Sequence, residues 1–283
     1  IIPKWYAEVM SLVERQELEY NQISRLTQPE SLDSPILDLL NVRYVLTEET
    51  IDRPGYTLVH DGTLRVYRND DALPRAFVTF QAQAFVERSA LLEALRTADP
   101  RQAVLLDQAP AGWQPPAAPP VAPSAWPGVA FVADTPNEVK LHVAMPAPGL
   151  LVLADSWAPG WVAYTLPDGQ SQEQALTILR AGGTVRAVQL PAGPQTVRFK
   201  YSPGSVKTGA FISFMAGVSL LLLAGAWVWM RAYSPGAEEH TARRVAKNTV
   251  VPMALQLLNR GVDLVFAMLM LRLLGEVGQG KYY

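Results

Sequence analysis

The sequence predicts a small α+β subdomain, then an all-β sandwich, then two transmembrane helices, in a chain that reads as a fragment of a larger membrane protein. Three observations carry this. Short β-prone runs recur between residues 129 and 203, with Pro, Gly, Asn and Asp between them. The stretch "QAPAGWQPPAAPPVAPSAWPG", residues 108–128, holds seven prolines and separates that region from a mixed N-terminal part. Gly209–Met230 carries no charged residue at all, and about 20 consecutive apolar residues suffice for a helix to cross a bilayer core.

Composition sets the outer limits. A chain of 283 residues suggests about two domains. Its formal net charge of −2 offers no basic field for nucleic acid. With no cysteine, disulfides, thiolate metal sites and cysteine nucleophiles are excluded. The first residue is Ile1, no signal-peptide pattern follows it, and Tyr283 comes just past an apolar run. Both ends read as cut.

Residues 1–107 read as a small α+β subdomain placed outside the cytoplasm. "SPILDLLNVRYVLTEE" begins with helical spacing and turns to alternation at Val42, Tyr44 and Leu46, which predicts a helix and then a strand. "YTLVHDGTLRVYRN" predicts a hairpin on Asp61-Gly62, a pair suited to a type I′ turn. "RAFVTFQAQAFV" continues as strand. "SALLEALRTADP" reads as a helix with Ser89 as its cap, and "AVLLD" as a short strand. Residues 108–128 read as a stiff, extended linker.

Residues 129–205 predict the sandwich: "VAFVAD", "EVKLHVAM", "GLLVLAD", "GWVAYTL", "ALTILRA", "TVRAVQL" and "QTVRFKYS" are its strands, spaced as sandwiches space them. Lys207 and Arg231 bracket the first transmembrane helix, 209–231, and Trp227, Trp229 and Tyr233 supply an aromatic belt. Residues 232–248, with Arg243, Arg244 and Lys247, are placed in the cytoplasm, leaving residues 1–207 outside. A second transmembrane helix is expected over 249–274. Its Gln256, Asn259, Arg260 and Asp263 recur at i, i+3, i+4 and i+7, which makes a polar membrane stripe. Such a stripe normally faces a bundle interior or watery cavity.

Two ordered sets of motifs carry resemblances. "SPILDLLNVRYVLT", "LRVYRNDDALPRAFV", "GLLVLADSWAPGW" and "VRAVQLPAGPQTVRFKYSPGSVKTGAFIS" resemble the C-terminal part of YfhO-type bacterial membrane proteins. These are large multi-pass proteins related to lipid-sugar-using glycosyltransferases. The family often runs from Pro-Gly-Trp into a Val-Asp-Gly turn, whereas this chain has "GWVAYTLPDGQSQEQ". The resemblance implies that the catalytic membrane region lies upstream, so that no residue here inherits a catalytic role. Residues 243–283 resemble the first helix of a Wzx/MATE-like polysaccharide-biosynthesis flippase, with Arg272, Leu274, Gly275, Gly278, Gly280 and Tyr282 matching its ending. Together they imply a bacterial cell membrane protein of cell-envelope polysaccharide or glycolipid assembly. Its implied partners are the bilayer and lipid-linked sugars or envelope glycans. A membrane-anchored carbohydrate- or protein-binding module without enzymatic activity is the second reading.

The remaining motifs are weighed by what they lack. "GEVGQGK" fits G-x-x-x-x-G-K, but an expected membrane helix precedes it and Tyr282 stands where Ser or Thr would hold Mg²⁺. Neither nucleotide nor any other cofactor is expected. His60, His142 and His240 are scattered, so no metal site is expected. Asp155 and Asp168 read as turn residues. Trp157, Trp161 and Tyr164 in "SWAPGWVAY" are the candidate sugar-stacking residues.

Overall fold

A computed structural model describes residues 3–15, 26–112 and 119–233, together with Pro252, Gln256, Asn259, Arg260 and Asp263. It divides into two units, residues 1–203 and 204–283.

The first unit is built on strands. Strands β1 (Tyr44–Thr47), β2 (Tyr56–His60) and β3 (Arg65–Asn69) form a small antiparallel sheet in the order β1-β3-β2. Strands β7 (Ala130–Thr135), β8 (Glu138–Met145), β10 (Trp161–Pro167), β11 (Gln174–Leu176) and β14 (Gly193–Tyr201) form a five-stranded sheet ordered β11-β10-β14-β8-β7. The six-stranded sheet takes β4 (Ala76–Thr79), β5 (Ala82–Ala84), β6 (Val104–Leu106), β9 (Gly149–Ser156), β12 (Ile178–Ala181) and β13 (Val185–Leu190), in the order β4-β9-β13-β12-β6-β5. Each of the seven segments expected between 129 and 203 contains a strand. "ALTILRA" divides at Thr177 into β11 and β12, which join different sheets.

The two larger sheets make the sandwich. Val78, Leu151, Leu153, Val188 and Leu190 of the six-stranded sheet bury against Val139, Leu141, Val143, Val197 and Phe199 of the five-stranded one. The opposite face of the six-stranded sheet is buried too. There Phe77, Leu150, Val152, Val185 and Ala187 lie under Leu39 and Leu73, with Trp126 against them. A strand covered on both sides loses its alternation, which is why "GLLVL" at the start of β9 is apolar throughout. Helices α1 (Lys4–Glu14), α2 (Pro35–Leu39) and α3 (Arg88–Leu95) contribute Val9, Met10, Ile36, Leu37, Leu91 and Leu95 to a third cluster with Leu105 of β6.

The expected boundary between 107 and 129 is therefore not a boundary of this fold. Phe77 of β4 pairs with Val152 of β9, and Leu106 of β6 pairs with Ala181 of β12. The N-terminal segment supplies strands to the sandwich because β9 and β13 expose apolar side chains on both faces. Trp126, near the end of the proline-rich stretch, stacks on Phe77 with ring centroids 5.5 Å apart, which fixes that end of the stretch to the sheet.

Two local expectations change. The β2–β3 hairpin forms, but Gly62 lacks the positive φ of a type I′ turn, so residues 61–64 make a wider loop in which Asp61 pairs with Arg65. Helix α3 begins at Arg88, with Glu87 rather than Ser89 at its N-cap and no side-chain cap bond. Arg88 is held instead by Glu8 at 2.8 Å and by the Gly183 carbonyl at 3.2 Å. The β12–β13 connection needs Gly182 and Gly183, both at positive φ. A Cβ at Gly182 would collide with Leu39.

In the second unit α4 (Gly204–Tyr233) is the one helix among the described residues long and apolar enough to cross a membrane. Its 30 residues span about 45 Å, and its apolar stretch is not buried at all. Cation–π contact joins Arg231 to Trp227 at 5.7 Å. Most of the expected second transmembrane helix, 249–274, lies outside the described residues; Pro252, Gln256, Asn259, Arg260 and Asp263 are helical and exposed.

Shared sheets imply shared stability. Leu106→Ala, made in the N-terminal half, is expected to destabilise the whole of residues 1–203 by about 2–5 kcal/mol. Urea unfolding of the detergent-solubilised chain, followed by tryptophan fluorescence and by circular dichroism, should move as one transition. A separate early transition confined to the N-terminal half would contradict the shared sheet.

Candidate binding cleft

The sandwich core turns polar at one end. Leu151, Leu153 and Asp155 alternate along β9, and Arg186, Val188 and Leu190 alternate along β13, so Asp155 and Arg186 follow core residues onto the inter-sheet side. Arg75 enters just before β4 and Asp134 lies on β7 of the other sheet. A cleft of about 560 Å³ opens here, lined by Arg75, Asp134, Asp155, Arg186, Ser156 and Trp161 among others.

Asp155 is the hub. Arg75 donates to it from Nε at 2.9 Å and from Nη2 at 3.1 Å, the two-pronged geometry that suits guanidinium and carboxylate. Arg186 donates from Nη2 at 3.0 Å to the same Oδ2 that Arg75 Nη2 reaches, and from Nε to the Asp155 carbonyl at 3.4 Å. Arg75 then extends to Asp134, with Nη1 at 2.6 Å and Nη2 at 3.3 Å. One arginine thus ties the two sheets together.

Arg186 is only 3% exposed. Burial pushes its pKa down to about 10, against the attraction of Asp155, so the group stays charged at neutral pH. Its guanidinium lies 3.9 Å from the centroid of the Trp161 ring. Nη1 of Arg186 is buried and has no hydrogen-bond partner in the protein. Hydrogen bonds to Asp155 and then Asp134 hold the Arg75 pKa above the ordinary arginine value. The bond from Arg75 holds the Asp134 carboxyl below the usual carboxylate range.

The sequence-predicted aromatic residues do not share a platform. Trp161 points to the inter-sheet side with Ala163, where Arg186 covers it and Tyr201 lies 5.4 Å away. Tyr164, one residue out of phase, lies beside Arg198 at 4.9 Å. Trp157 meets Trp5 edge-on at 6.0 Å and Arg180 at 4.9 Å. Alternation along β10 separates Trp161 from Tyr164, and cations already occupy ring contacts of all three. The turn reading of Asp155 also gives way: the residue lies inside β9. Asp168 does occupy a turn, followed by Gly169 at φ +82°; its carboxylate is 3.9 Å from His142 Nδ1. The residues of the polar stripe, Gln256, Asn259, Arg260 and Asp263, belong to the second unit and take no part in the cleft. Among the described residues no three His, Asp or Glu side chains gather as metal ligands.

Sequence reasoning missed Arg75, Asp134 and Arg186. A signal was available for one of them. In "TVRAVQL" Arg186 shares parity with Val188 and Leu190, so a charge falls on an inward position of a core strand.

Two outcomes test this geometry. Asp155→Ala leaves a buried arginine without its carboxylate and is expected to cost about 3–5 kcal/mol in chemical unfolding, whereas Asp134→Ala, at the solvent-exposed rim, should cost far less. In a carbon-detected NMR titration, the Asp134 carboxyl should titrate below the ordinary range and move up towards it in Arg75→Gln. The sign follows from linkage: a lowered folded pKa stabilises the fold above the unfolded carboxyl pKa, and the contribution fades as pH falls through the folded value. No protein-family model, curated protein or solved structure matches the chain, so the function is argued from the residues themselves.

Proposed function

We propose that this chain is a membrane-anchored binding region of bacterial cell-envelope polysaccharide or glycolipid assembly. In this reading it is the non-catalytic C-terminal part of a YfhO-like protein joined to the start of a flippase. The observation that carries the anchoring is α4: an unburied apolar helix begins at Gly204, directly after the last sandwich strand ends at Tyr201. A helix of that kind without a protein partner for its surface suits lipid. The sandwich lies outside the cytoplasm and residues 232–248 inside.

Binding suits the cleft better than hydrolysis. A carboxylate pair that cleaves glycosides needs one member free to donate a proton and the other free to attack or to activate water. Both carboxylates here already accept arginine N–H groups. The same cleft supports the second reading, a membrane-anchored carbohydrate-binding module outside the YfhO context.

The cysteine-free sequence makes the topology directly testable. Single cysteines are placed at Ser171, in the turn after β10, and at His240, in the full-length protein in cells. A membrane-impermeant maleimide is expected to label Ser171→Cys on intact cells and His240→Cys only after permeabilisation, with both proteins resisting carbonate extraction. Reversed labelling would overturn the orientation, and release by carbonate would overturn the anchor.

A further inference from the structure

We propose that the cleft binds an oxyanion, such as the carboxylate of an acidic sugar, and that Asp134 is a resident competitor for it. The inference rests on the reading of the sandwich as a binding domain, but not on its orientation in the membrane.

The first support is Arg186. The residue lines the cleft; its guanidinium is almost wholly buried, is fixed by Asp155 and by the Trp161 ring, and leaves Nη1 buried and unpartnered. Buried donors are rarely left unpaired, and an unpaired one calls for an acceptor, whether water or ligand. Asp155 does not fill that role, since it already accepts three side-chain N–H bonds at its two oxygens.

The second support is Arg75 at the rim. Its Nε and Nη2 are committed to Asp155, which is 20% exposed, while Nη1 and the other bond from Nη2 go to Asp134, which is 46% exposed. Asp134 thus holds the place that an external carboxylate or phosphate would take. Both guanidiniums converge on Asp155 Oδ2, so Arg75 and Arg186 sit side by side. A ligand oxyanion that displaces Asp134 from Arg75 comes beside Arg186, whose Nη1 is buried and unpaired in its absence. Planar guanidinium groups suit such recognition because they present paired donors. The volume is within the range of small-molecule sites.

Isothermal titration of the detergent-solubilised chain tests this, using glucuronate, glucose 1-phosphate, inorganic phosphate and neutral glucose. Glucuronate or glucose 1-phosphate should bind, with glucose at least tenfold weaker. Equal binding of inorganic phosphate would assign recognition to the anion alone, as proposed, whereas glucose binding as tightly as the anions would overturn it. Asp134→Asn should tighten binding several-fold, because it removes the competitor; a purely structural role for Asp134 predicts no tightening. Arg186→Lys should weaken binding tenfold or more. Should that variant misfold by circular dichroism, Arg75→Gln, at the part-exposed rim, removes the other guanidinium and should abolish binding. No heat with any anion, or unchanged affinity in Asp134→Asn and Arg75→Gln, would overturn the proposal while leaving the membrane anchor unaffected.

Discussion

Asp155 is the constraint on which the rest depends. It is a carboxylate at the end of an apolar sandwich core, in contact with two guanidiniums and a strand that is otherwise mostly leucine and valine. A charge in such a place is tolerated only when it is paired and its lone pairs are filled. Arg75 and Arg186 meet that demand from β4's entry and from β13, and Arg75 carries the link on to Asp134 in the facing sheet. The sandwich is therefore closed at this end by directional bonds. Elsewhere in the core, non-directional burial of Val, Leu and Phe holds the layers together.

That closure explains why the N-terminal part belongs to the sandwich. The six-stranded sheet is apolar on both faces, so it needs a layer on each side. The five-stranded sheet provides one. The segment before the proline-rich stretch provides the other, through Leu39 and Leu73, while also donating β4, β5 and β6 as strands. Arg75 comes from that same segment. The cleft is thus assembled from residues on both sides of 108–128, and neither side alone contains it.

Local pattern made much of the fold legible. The strands between 129 and 203 follow from β-prone runs between turn residues, and α4 follows from an uncharged stretch bracketed by Lys207 and Arg231. Which strands pair was not legible. Phe77 and Val152 are cross-strand neighbours although far apart along the chain, a separation over which local periodicity carries no information. The site was hidden for the same reason. Trp157, Trp161 and Tyr164 lie close in sequence and group naturally on that basis, yet alternation turns Trp161 and Tyr164 to opposite faces of β10. Arg75, Asp134, Asp155 and Arg186 are scattered along the chain and meet only through pairing across two sheets. The inward parity of Arg186 was the one readable hint.

The proposed anchoring and the proposed binding rest on different units: α4 presents apolar surface, and the sandwich has a polar cleft beside a buried, unpaired donor. The central claim is that Arg186 is rigidly held, with Nη1 unpaired until an oxyanion enters beside it. Nitrogen-15 NMR of the arginine side chains measures this directly. Slow rotation about the Arg186 Cζ–Nη bonds is predicted, with its Nη resonances shifting when glucuronate is added and those of Arg75 changing alongside as Asp134 is displaced. A freely rotating Arg186 guanidinium, or one whose resonances ignore every oxyanion, would contradict it.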